Sequence, residues 1–185
     1  MAKQNDEGAR KLAGELDELN EWLAENDVEH RVVFGKPVTA ADVAATEKAL
    51  AVKLPRAYVD FVTTRGPFEY SGALTGRGEG NDTRLLAPAD VTLETLRFRK
   101  EMALSRDEEG QHIVDDGIVF CVDPDGEFLH LFVISSAAAD GEMPTRPFDY
   151  QDLGMNDPWY EGDGSFASVI GELIATVREH ALDDE

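Results

Sequence analysis

The sequence predicts an α+β fold: an antiparallel sheet packed with N-terminal helices and closed by a C-terminal helix. Three observations predict it. Apolar residues repeat at helical spacing through much of the first hundred positions. Residues 117–134 then change to β-branched and aromatic runs on either side of Pro124-Asp125-Gly126, the pattern of a hairpin. Finally Phe166, Val169, Ile170, Leu173, Ile174 and Val177 fall at i, i+3, i+4, i+7, i+8 and i+11, one face of a helix. Helices, then an antiparallel sheet, then a helix is an α+β order.

In chain order, Leu12, Leu16, Leu19 and Leu23, widened by Trp22, predict a helix over 9–25 with Glu15, Glu18, Glu21 and Glu25 turned elsewhere. Its leucine stripe either folds onto its own domain or forms a homodimer seam, although it is shorter than the heptad run of a coiled coil. His30–Phe34 has strand character, and Gly35-Lys36-Pro37 is a turn. Thr39, three residues before Asp42, is an N-cap with an acid at N3, so a helix runs from Ala40 to about Ala51 with Val43 and Leu50 inward. Pro55 opens another helix at its first position. Tyr58, Phe61 and Val62 are its apolar face, and Arg65-Gly66-Pro67 stops it. Ser71–Thr83, with its glycines, reads as a loop; Leu85-Leu86 is a short strand; Pro88 and Asp90 begin a helix through Leu104. Strands are predicted at Gly117–Asp123, Glu127–Ile134 and Phe148–Tyr150. Two Gly-rich turns fill 151–164, and Ser165 caps the closing helix. The predicted organisation is a helical extension at 1–29, a domain at 30–182 and an acidic tail at 183–185.

Composition excludes several functions. The 185 residues hold 38 Asp and Glu against 17 Lys and Arg, a formal net charge of −21. A nucleic-acid binder needs a basic stripe, and an anionic membrane needs a basic segment; neither partner is expected. The charge is uneven. Residues 1–106 carry 18 acids and 15 bases, whereas residues 107–185 carry 20 acids and two bases, Arg146 and Arg178. Cys121 alone makes no intramolecular disulfide or cysteine zinc cage. The N-terminus has no apolar signal core, and no apolar run reaches the ~18 residues of a membrane span. A cytoplasmic protein is expected.

Catalytic chemistry finds little support. His30, His112, His130 and His180 are scattered, without the spacing that sets two imidazoles on one helical face. His130 alternates with apolar neighbours as a sheet histidine does, and Cys121 sits in an apolar strand where a thiol behaves as a small hydrophobe. Residues 123–127, DPDGE, lack the ligand spacing of a calcium loop. GRGEGND at 76–82 lacks the Lys-Ser/Thr of a phosphate loop and reads as a surface loop. Asp115-Asp116 is either a metal or acid/base pair or two solvated acids before a strand. No enzyme, metal or cofactor is expected. The more promising cluster is acidic: Asp149, Asp152, Asp157, Glu161 and Asp163 surround Tyr150, Trp159 and Tyr160. Aromatic anchors ringed by one charge sign suit a basic protein partner; the alternative is rings packed on the sheet with solvated acids around them.

The stretch PVTAADVAATEKALAVKLPRAYVDFVTTRG, Pro37 to Gly66, resembles the opening of the SUKH superfamily, which includes fungal cell-wall-synthesis regulators. Its marks are a capped helix rich in acids and alanines, a Leu-Pro, a Tyr shortly after, an apolar pair and a closing Gly. Here Thr39, Val43, Glu47, Leu50, Leu54, Pro55, Tyr58, Phe61, Val62 and Gly66 match. The order of later elements extends the resemblance over about residues 31–180. Arg65 departs from the Asn usual before the Gly, and the 71–83 loop is idiosyncratic.

The resemblance implies a binding module without catalytic residues. Many bacterial members are immunity proteins that neutralise a cognate toxin, often a nuclease or deaminase, and fungal relatives are regulatory scaffolds. The expectation is therefore an immunity protein whose acidic second half covers a basic toxin surface, with a scaffold lacking any toxin partner as the alternative. A third reading makes the acidity an adaptation to a high-salt cytoplasm, against which the uneven charge argues. Thermal melts in low and in molar salt separate them: strong stabilisation by salt is the result expected of the high-salt reading, and a small shift is expected of the partner reading.

Overall fold

The computed structural model describes residues 2–71, 82–102, 115–122, 128–150 and 164–180. Helix α1 (Ala2–Glu25) leads through β1 (Val32–Phe34) to α2 (Ala40–Leu50) and α3 (Arg56–Thr64). Strands β2 (Phe68–Ser71) and β3 (Asp82–Leu85) precede α4 (Pro88–Met102). Then come β4 (Gly117–Val122), β5 (Phe128–Val133), β6 (Thr145–Asp149) and α5 (Phe166–His180). The strands pair in chain order, each antiparallel to the next, as one six-stranded sheet. The α+β architecture is as predicted.

Several boundaries differ from the sequence reading. Helix α1 starts at Ala2, seven residues before the predicted start at Ala9. Pro55 is the N-cap of α3 and not its first residue. Ser71 and Asp82-Thr83 are strand, not loop, and β2 was not anticipated. Strand β6 begins at Thr145 and contains Pro147, which an edge strand tolerates because the missing N–H faces away from the ladder. Tyr150 lies just beyond it. The 124–126 turn, Asp123, Glu127 and Leu104 lie outside the described residues.

Register assigns the two sheet faces. Phe34, Phe68, Leu85, Cys121 and His130 are successive cross-strand partners, so they share one face. Helices α3 and α5 cover that face. The Tyr58 ring meets Phe132 and Phe166 edge-on at 5.8 and 5.9 Å, and Phe61 meets Phe68 and Phe166 at 6.1 and 5.7 Å. The β4–β5 register shifts between Val119 and Cys121, so Phe120 is an inserted residue. It stacks on Phe132 at 4.0 Å between centroids. The opposite face carries Val122, Leu129 and Phe148, and α4 lies on it, with Phe98 edge-on to Phe148 at 5.1 Å. Thr95 of α4, fully buried, accepts a hydrogen bond from the Val119 N–H at 3.0 Å, beside the shift in the ladder. With helices on both sides, all six residues of β4 are buried.

Helix α1 belongs to the same core. Leu16, Leu19 and Leu23 are buried within the chain, and α1 packs on α3, α5 and β1. The leucine stripe offered by the sequence as a homodimer seam is thus occupied internally; a dimer through it would have to lift α1 from its own domain. The Asn20 amide accepts from the Val32 N–H at 2.7 Å and donates to the Val32 carbonyl at 2.8 Å. Arg65 pairs with Asp17 and lies 4.2 Å over the Phe34 ring.

The caps of α2 and α5 act as read. Thr39 and Asp42 form a reciprocal capping box, and hydrogen bonds from Thr39 hold the Asp42 carboxyl below its usual pKa. Ser165 Oγ accepts from the Ser168 N–H at 3.1 Å at the start of α5. Helix α3 has no side-chain cap from its own N-cap residue; Glu142, 85 residues on, accepts from the Ala57 N–H at 3.0 Å. Burial raises the Glu142 pKa, with the Ala57 bond opposing.

Two predictions concern stability. Gly66 has φ +101°, and a Cβ there would stand 2.4 Å from the Gly35 carbonyl oxygen. Gly66→Ala should destabilise by roughly 2–4 kcal/mol in urea unfolding, combining left-handed strain with a backbone clash. His130 keeps some exposed surface, but its Nδ1 is buried without a hydrogen-bond partner, and burial pushes its pKa from 6.5 down to about 4. The folded state therefore holds the neutral imidazole while the unfolded chain protonates. Stability should fall as pH drops from about 6.5 towards 4, by up to about 1.4 kcal/mol per unit, and His130→Leu should flatten that slope above pH 5.

Candidate interaction surface

The residues predicted to bind a partner divide sharply. Asp149 ends β6, opposite Phe128 in register and half-buried. Asp152, Asp157, Trp159, Tyr160, Glu161 and Asp163 lie outside the described residues. Tyr150, grouped with the aromatic anchors, has a packing role: its ring meets Phe148 and Phe98 edge-on at 5.0 and 6.2 Å. Its hydroxyl donates to the Glu101 carboxylate at 3.2 Å. Burial, with the Glu101 charge second, raises the phenol pKa. The chain returns at Gly164, whose carbonyl accepts from the Thr145 N–H at 2.8 Å at the opposite end of β6 from Tyr150. Tyr150 and Gly164, the described residues on either side of 151–163, thus stand at opposite ends of β6.

Of the 20 acids in 107–185, 13 lie outside the described residues. Some described ones have internal tasks. Both Asp116 carboxylate oxygens accept from Ser135, one from its N–H and one from its hydroxyl. The Asp115 carbonyl accepts from Arg99 at 3.2 Å. The Asp115-Asp116 pair is thereby part of the β4–β5 end and not a free carboxylate pair. Cys121 is buried on β4. Among the described residues no group of three His, Cys, Asp or Glu side chains converges as a metal site would. The motif residues Leu54, Pro55, Tyr58, Phe61 and Gly66 are buried. Their work is packing, as in Tyr58, whose hydroxyl donates to the Leu86 carbonyl at 2.7 Å.

Two accessible surfaces were not foreseen. Helix α4 lies over β4 and, through Phe98, over Phe148 of β6, and β1–β3 extend that sheet face beyond it. Val33, Glu69 and Arg84 are cross-strand neighbours there, all exposed. An open groove of about 250 Å³ runs from them to Leu86 and Asp90 at the start of α4. The second surface is the outer side of α4, where Leu93 and Leu96 are 62% and 51% exposed. The sequence signal for the first would have been recognising β2, whose partners place Glu69 beside Val33. For the second it was the off-stripe position of the two leucines relative to Val91, Thr95 and Phe98.

No helix among the described residues is long and apolar enough to cross a membrane. Comparison with curated proteins finds no match. The model of the SMI1 / KNR4 family (SUKH-1) matches residues 37–144, from the turn before α2 to the residue before β6. That span covers more than half the chain and contains the capping box, the Leu-Pro turn, α3 and the first five strands except β1. On the match and the fold together, this chain belongs to the SMI1/KNR4 (SUKH-1) family.

Proposed function

We propose that the protein is a non-catalytic, cytoplasmic immunity protein that neutralises a cognate toxin by stoichiometric binding. The observation that carries the reading is membership of the SUKH-1 family, which includes immunity proteins. The charge supplies the partner's chemistry. With 20 acids against two bases in residues 107–185, this half suits a basic surface such as the phosphate-binding cleft of a nuclease. Asp149, Asp152, Asp157, Glu161 and Asp163 supply steering, and Trp159 and Tyr160 supply apolar anchoring. Asp116 and Glu142 are engaged by the chain's own Ser135 and Ala57, a structural role for these two carboxylates. The alternative is a regulatory scaffold with no toxin partner, for which affinity capture would return signalling or cell-envelope proteins.

The test begins by identifying the protein encoded beside this one, which this reading expects to end in a toxin-like domain; that domain is then the titrant. Calorimetric titration should give a one-to-one complex, and addition of the protein should abolish the toxin's activity. Charge reversal of Asp157, Glu161 and Asp163 together should slow association by about tenfold or more at low salt and flatten its salt dependence. Trp159→Ala should act mainly on dissociation. Neutralisation and salt dependence unchanged by all four substitutions would show that the toxin binds elsewhere; no complex at all would favour the scaffold.

A further inference from the structure

We propose that the groove between the β1–β3 sheet face and the start of α4 binds a free basic α-amino acid, of the lysine or arginine type. Three ionised side chains line it: Glu69 on β2, Arg84 on β3 and Asp90 in the first turn of α4. Glu69 and Arg84 are direct cross-strand partners. All three residues are exposed, and among the described residues none of them takes part in an ion pair. An acid and a base opposite each other on a sheet can neutralise one another; here both charges remain available. The groove measures about 250 Å³, below the ~300–1,000 Å³ of sites for drug-sized ligands, and so suits a molecule of amino-acid size. Its walls are fixed. On one side the Gly35 N–H donates to the Pro67 carbonyl at 2.8 Å, and on the other Leu86 is held through its bonds to Tyr58 and Phe120. A preformed site loses less conformational freedom on binding.

The set of charges selects the ligand. The groove offers two carboxylates and one guanidinium, and a basic amino acid carries two cations and one carboxylate. The α-ammonium and α-carboxylate of an amino acid share one carbon, so the two groups suit a neighbouring acid and base, Glu69 and Arg84. A cationic side chain then meets Asp90, its methylene stem lying along Leu86 and Ala87, the lining residues between Arg84 and Asp90 in the chain. Every other class leaves a charge opposed or unmatched. A phosphate or simple carboxylate meets Arg84 but is repelled by Glu69 and Asp90. A simple cation meets the acids but is repelled by Arg84. A neutral amino acid leaves Asp90 without a partner, and an acidic one sets a second carboxylate beside it. The chain's net charge of −21 also draws a cationic ligand and repels an anionic one. The inference does not depend on the toxin reading and uses none of the residues assigned to it.

An NMR amide-shift titration of the full chain with L-lysine, at about 150 mM salt, tests it. A ligand of about ten non-hydrogen atoms on an open site should saturate with a Kd of about 1 mM. The shifts should centre on Glu69, Arg84 and Asp90. Three analogues on the unaltered protein each remove one charge: norleucine the side-chain ammonium, lysine amide the carboxylate, and Nα-acetyl-lysine the α-ammonium. Each should bind about threefold or more weakly than lysine. Asp90→Asn should abolish the preference for lysine over norleucine without weakening norleucine itself, and Arg84→Gln should abolish the preference for lysine over its amide. Circular-dichroism melts check that both variants fold, and should either fail, the analogue series decides alone. No saturable shifts up to about 20 mM lysine, or equal binding of lysine and norleucine, overturns the proposal. So do shifts confined to the acids of 149–163, which would mark attraction to net charge only. Tighter binding of Nα-acetyl-lysine than of lysine also overturns it, and would give the groove to the end of a polypeptide.

Discussion

Tyr58 joins three separate parts of this fold through one side chain. It is fully buried, edge-on to Phe132 of β5 and Phe166 of α5, while its hydroxyl reaches the Leu86 carbonyl between β3 and α4. Leu86 in turn donates its N–H to the Phe120 carbonyl at 2.9 Å, next to the β4 register shift. One phenol thereby ties α3 to the closing helix, to the sheet centre and to the entry of α4. A buried hydroxyl must find an acceptor or forfeit its desolvation cost. That requirement fixes the depth of α3 against the sheet, and the stacked Phe120 and Phe132 rings fill the space left. The position of α4, and hence of the surfaces flanking it, follows from the same junction.

How much of this was legible depended on the range of the interactions. The capping box at Thr39 and the six-residue apolar face of α5 are local, and they were readable to within a residue. The fold class followed from such elements. Strand β2 was not readable: Phe68–Ser71 is four residues long after a proline, and its identity comes from partners on β1 and β3. The extent of β6 was hidden by Pro147, which reads as a break until the strand is known to lie at an edge. For the candidate site, the concentration of acids in the second half was plain. The commitment of Asp116 to Ser135 and of Tyr150 to Glu101 was not, because each joins positions far apart in sequence. Exposure of Leu93 and Leu96 likewise depends on which side of α4 meets the sheet.

The family match and the packing unit do not share boundaries. The match ends at 144 and starts at 37, yet α1, β1, β6 and α5 contribute to one continuous core with the matched elements. Arg65 shows how the extra N-terminal helix is fastened. Where the family pattern has Asn before the Gly, this chain has a cation that binds Asp17 of α1 and covers Phe34 of β1. The departure from the motif thus falls at the contact with a helix outside the match.

The Asn20 side chain answers a problem that every open sheet has. Its amide presents to Val32 one acceptor and one donor, the pair of groups that the backbone of a further strand would present. The first strand consequently has no free ladder position at Val32 for a stray chain to join, and at the opposite margin Pro147 has no N–H to offer. With both margins blunted, edge-to-edge polymerisation is opposed at the backbone level. Neither block depends on charge, so salt that screens the chain's acids leaves both in place.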